Sequence, residues 1–149
     1  MDDERAELGT SPAFVRTVLA ALAALQIFNG LYALLAPRSF YDDYPLGRGW
    51  VQALPDYSEH LVRDVGSLFL ATGIFLAAAA WMLGRRLVLV ALVSFLVFSI
   101  PHFVYHAFNL EPYDTADLIG NVIGLLVLVV PPAIVLAATF RPGARGDAP

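Results

Sequence analysis

Two thirds of the way along the chain, the stretch SIPHFVYHAF sets His102 and His106 one helical turn apart, next to Pro101. Imidazoles four residues apart share a helix face about 6 Å apart along the axis. Such a pair can ligate a transition metal or a haem iron, or exchange protons and hydrogen bonds with a polar head group. The same spacing recurs: His60 with Asp64, and Glu59 with Arg63. Gln26 and Asn29 add two amides to an otherwise apolar run. The chain has no cysteine, which removes disulfides, thiolate metal sites and c-type haem attachment.

The elements that carry these groups are unusually apolar. Of 149 residues, 58% are hydrophobic and 15% charged, with a mean hydropathy of +0.68. A soluble domain has about 45–50% apolar and about 25% charged residues. Helices are expected over residues 17–36, 59–83, 87–108 and 117–140, each long enough for a hydrocarbon core that needs about 20 residues. The reading is all-α: a single four-transmembrane-helix bundle between a tail over 1–16 and a disordered tail over 141–149. The start MDDERAELGTSPAFVR is acidic where a signal peptide would be basic, so the first span is expected to be retained.

All nine basic residues are arginine. With four spans, Arg5, Arg16, Arg85, Arg86, Arg141 and Arg145 share one side, against Arg38 and Arg48 on the other. That bias predicts cytoplasmic N and C termini in a bacterial inner membrane. The net charge of −4 and the lack of a basic stripe argue against nucleic acid as a partner. The lipid bilayer is the expected partner, with a homo-oligomer or a membrane complex as further options.

Alternating helix direction brings the polar residues to one depth. His60, Arg63 and Asp64 open the second span, with Glu59 at its first turn; His102 and His106 close the third; Asn121 and Asp117 open the fourth; Asn29 lies in the far half of the first. Polar groups in a membrane layer are costly and usually face a bundle interior. Four readings follow. The residues can bind a metal ion through His102, His106, His60 and Asp64. They can hold one b-type haem between His60 and a third-span histidine. They can bind a quinone-type head group, with histidine and Asp64 exchanging protons and Arg63 balancing charge. Or they can be structural, with Glu59–Arg63 a plain ion pair, and Gln26 and Asn29 interhelical glue. The chain is read as a binding protein, not an enzyme on its own. The rival from another class is an accessory or assembly subunit of a larger complex, its Gly120/Gly124 seam against a partner; a transporter would need to oligomerise.

LQIFNGLYALLAPRSFYDDYP resembles the opening of DoxX-like four-helix membrane proteins, and EHLVRDVGSLFLATGIFL with VFSIPHFVYH resembles small, often actinobacterial, four-span proteins loosely allied to them. The resemblance covers roughly residues 25–121 and implies a bundle with polar outer ends. Some DoxX-like proteins are subunits of quinone-linked oxidoreductases, which favours the head-group reading. The missing cysteines and the histidine pair depart from that pattern.

Overall fold

The computed structural model describes residues 8–54 and 56–140. The tail expected over 141–149, with Arg141 and Arg145, lies outside the described residues, as does Arg5. The described residues form five helices and no strand: α1 (Pro12–Leu35), α2 (Pro37–Asp43), α3 (Glu59–Met82), α4 (Arg85–Ala107) and α5 (Thr115–Phe140). All but α2 are long and apolar enough to cross a membrane. The all-α fold with four spans is thus present.

Prolines punctuate the first two helices. Pro12 opens α1 from inside the stretch expected as a tail; its fixed φ and missing N–H suit a first turn. Pro37 pushes Ala36 out of helical geometry, ending α1, and opens α2. Ser58 precedes α3 with extended backbone, but its hydroxyl makes no cap bond. Pro101 lies within α4, and α5 runs through Pro131 and Pro132.

α1 and α3 form the closest pair. A Cβ on Gly30 would lie 2.6 Å from the Leu70 nitrogen, and one on Gly66 2.8 Å from the Leu34 nitrogen. At Gly73 it would meet Ile27 at 2.7 Å. Lipid tails are as apolar as leucine, so helices associate in membranes largely by such close packing. Within the chain the fourth-span glycines make no such helix contact: a Cβ on Gly124 would meet nothing within 4 Å, and one on Gly120 would meet the Trp50 ring.

Arginines tie the helix ends together. The last four carbonyls of a helix have no partner within it and carry partial negative charge. Arg16 Nε donates to the Ala80 carbonyl near the end of α3 at 3.2 Å, and Arg85 Nη2 to the Thr139 carbonyl at the end of α5 at 3.1 Å. At the opposite end Arg63 Nη1 donates to the Leu34 carbonyl of α1.

The bundle therefore has a terminal end, where α1 begins and α5 stops, and a loop end, covered by residues 36–58 and 108–114. Its buried apolar core lies towards the terminal end, centred on Val15, Leu19, Leu76, Leu92, Phe95 and Val135. Of the buried polar residues described, only Thr139 belongs to that end, and its hydroxyl donates to the Val135 carbonyl at 2.8 Å.

Candidate functional site

On α3, Arg63 donates to Glu59 at 2.9 Å as well as to the α1 carbonyl, so its guanidinium serves helix packing. His60 Nε2 pairs with Asp64 at 3.2 Å, and the two side chains are 83% and 57% exposed. Their direction follows from helix geometry. Phe69 packs on Phe98 of α4, ring centroids 5.4 Å apart. Nine residues at about 100° each set His60 on the opposite side of α3 from Phe69, and Asp64 roughly 140° from it. The predicted group is thereby divided, with His60 and Asp64 on the outer surface of the bundle and the α4 histidines on another helix face.

On α4, the His102 ring stacks on Phe98 at 5.3 Å and meets the His106 ring edge-on at 4.6 Å. The two histidines do share a face, continuing an aromatic row that starts at Phe69. Among the described residues, no three His, Asp or Glu side chains gather in a way that could hold a metal ion. A haem bridging His60 and α4 would need rings that face one another, and the α3 geometry points His60 away.

α5 supplies an anchor. Asp114 accepts the Asp117 backbone N–H at 2.8 Å, a cap at the helix start. Asp117 then accepts from Trp50 Nε1 at 2.8 Å and from Arg48 Nε, while Tyr113 donates to the Trp50 carbonyl at 3.0 Å. Asp117 thus clamps the 44–54 loop over the start of α5, and its carboxylate raises the Arg48 pKa. We expect Asp117→Ala, in a Trp81→Phe background, to shift Trp50 emission to the red and to speed proteolysis of this loop. Unchanged cleavage and emission would remove Asp117 as the anchor. Arg48 and Trp50 were not among the sequence candidates; nothing local to a loop reveals which helix it will cover.

Beneath the loop lie five buried polar atoms with no hydrogen-bond partner: Gln26 Nε2, Asn29 Oδ1, Ser99 Oγ, His106 Nδ1 and Asn121 Oδ1. Gln26, Ser99 and Asn121 are only 3%, 1% and 4% exposed. At ~1.5 Å per residue, Asn29 and Asn121 lie about 9 Å, Ser99 about 12 Å and Gln26 about 14 Å below the loop-end termini of their helices. Pro101 has no N–H for the Val97 carbonyl, which loses its helical partner at the same level. Buried polar atoms are nearly always paired. Four of these orphans, from three helices, fall within about 5 Å of one another in depth, while His106 sits higher, about 2 Å below the end of α4. Gln26 and Asn29, expected as glue, leave these atoms unbonded, and Ser99 was not among the sequence candidates for the site.

Tyr44 closes this layer from above. It hydrogen-bonds to Asn29, and burial raises its pKa above the ordinary 10.0, the Asn29 bond opposing. A tyrosine with a raised folded-state pKa contributes stability that is intact below about pH 10 and lost as pH climbs through the raised value. Thermal unfolding followed into the alkaline range should show this loss, and Tyr44→Phe should flatten it. An equally steep decline in the variant would refute the assignment.

The fold and this layer define a multi-pass membrane protein with a polar stratum near one end of an otherwise apolar bundle. No family model, curated protein or solved structure significantly matches the chain.

Proposed function

We propose that this protein binds a quinone-type head group within the membrane at the loop end of the bundle, through His102, His106 and Asn121 together with Asn29, Gln26 and Ser99. The observation that carries the reading is the layer of orphaned buried polar atoms. Each such atom left unpaired costs about 1–3 kcal/mol, a penalty that a hydrogen-bonding ligand relieves. The inventory suits a quinone–quinol pair: Gln26 Nε2 and the Ser99 hydroxyl can donate to carbonyl oxygens, while Asn29 Oδ1, Asn121 Oδ1 and His106 Nδ1 can accept from hydroxyls. A neutral head group fits a donor set of amides, a hydroxyl and imidazoles better than a metal ion does. The DoxX-like resemblance and its quinone-linked members support the same choice. The arginine bias orients this site towards the outer face of a bacterial inner membrane.

The test is organic extraction of the detergent-purified protein, with chromatography and mass spectrometry of what is released. Wild type should release a prenylated quinone or quinol near stoichiometry, and His102→Ala with His106→Ala should release little while staying folded. Equal trace amounts from both folded proteins would sink the proposal.

The accessory-subunit reading has one observation of its own, the His60–Asp64 pair on the outer surface of α3. A polar pair facing lipid is costly, and a partner chain would cover it. Under that reading His60→Leu with Asp64→Leu abolishes co-purification of a partner and leaves the extracted ligand unchanged.

A further inference from the structure

The terminal end carries a second feature. A groove of about 780 Å³ runs between α1 and α3, lined by Arg16, Ala20, Ala24, Ile27, Ala77 and Trp81 among others. From Arg16 to Ile27 it spans eleven residues of α1, about 16 Å. That is roughly half of a ~30 Å hydrocarbon core, the depth of one leaflet. Its floor is alanine, leaving room for a chain of methylenes, and its mouth holds one cation and one aromatic ring. Trp81 is 84% exposed at the rim, the position tryptophan takes at a headgroup boundary.

Among the described residues, no acid balances the charge at this mouth. Arg16 Nε is bonded to the Ala80 carbonyl, which fixes the guanidinium plane and leaves its two terminal nitrogens to donate elsewhere. Every described acid, from Asp42 to Asp117, belongs to the loop end, whereas Arg16, Arg85 and Arg86 stand at the terminal end. No carboxylate pairs with Arg16 among the described residues.

We infer that this groove binds one anionic phospholipid, its phosphate on the Arg16 guanidinium and one acyl chain along the alanine floor to Ile27. Arg16 offers a pre-oriented pair of donors to phosphate oxygens. An uncharged groove would take any lipid; the arginine selects an anion, with a preference of about fivefold expected for one cation near a membrane surface.

Trp81 reports the occupant. The intact protein is reconstituted into phosphatidylcholine vesicles holding a minor fraction of either chain-brominated phosphatidylglycerol or chain-brominated phosphatidylcholine, and tryptophan quenching is compared. Brominated phosphatidylglycerol should quench in excess, equivalent to about fivefold local enrichment. The excess should vanish in Trp81→Phe, which leaves only Trp50 at the far end, and in Arg16→Gln. It should persist in Arg16→Lys, and Ala24→Phe should abolish it by filling the groove with Arg16 intact. Circular dichroism and a monodisperse elution profile establish that each variant is folded. Equal quenching by the two lipids in wild type, or an excess that survives Arg16→Gln, overturns the inference and leaves Arg16 as a cap on α3 alone.

Discussion

Replacing Gly66 by alanine is expected to destabilise the bundle by about 1–3 kcal/mol, and replacing it by leucine to keep α1 and α3 from closing. The added Cβ would lie 2.8 Å from the Leu34 nitrogen and 3.0 Å from the Gly30 carbonyl oxygen, both backbone atoms that no rotamer change can move. The helices would have to separate along their whole contact. That separation would also draw the Leu34 carbonyl away from Arg63 and the Ala80 carbonyl away from Arg16, so both arginine clamps weaken with the seam. Gly124→Ala is the internal control: its Cβ meets nothing within 4 Å, and alanine is the better helix former. Unfolding in graded denaturing detergent, followed by circular dichroism, should show Gly66→Ala well below wild type and Gly124→Ala level with it or above. Equal stability of the two variants would mean that the α1–α3 contact is looser than described.

Asn121→Leu is expected to act in opposite directions on the free and the liganded protein. Leucine has the same number and branching of side-chain heavy atoms as asparagine, and no polar atom to leave unpaired. The ligand-free variant should therefore gain about 1–3 kcal/mol, the penalty attached to a buried unsatisfied acceptor. The same change removes a hydrogen bond to the proposed head group, and binding should fall about tenfold or more. Thermal unfolding with and without an added short-chain quinol measures both effects: the variant should melt higher alone and respond less to the quinol. A variant that melts lower alone would show that Asn121 already has a partner, and with it the main support for the head-group site would go.

The histidines show how far local pattern reaches. Spacing placed His102 and His106 on one face of a helix, and their rings do meet. It also put His60 and Asp64 side by side, and they pair. Intervals within one helix are fixed by its pitch, so they can be read from sequence. Whether α3 turns that pair towards α4 depends on its rotation about its own axis, which is set by Gly66 and Gly73 pressing on α1 and by Phe69 meeting Phe98. Those contacts join residues 29 or more positions apart, and no short window of sequence contains them. Arg63 forms the expected pair with Glu59 but gains a meaning for the same reason, because its second acceptor is a carbonyl of another helix.

The number of spans, their order, and the gathering of polar residues towards one end were legible in the amino-acid order. These follow from hydropathy, which adds up along the chain, and from the alternating direction of successive spans. The tertiary structure alone decided which polar atoms are buried without partners, which helices meet through glycine, and which arginines cap whose carbonyls. Burial and satisfaction are properties of neighbours, and a membrane helix takes its neighbours from close packing and hydrogen bonds across the bundle, since lipid does not distinguish one apolar face from another.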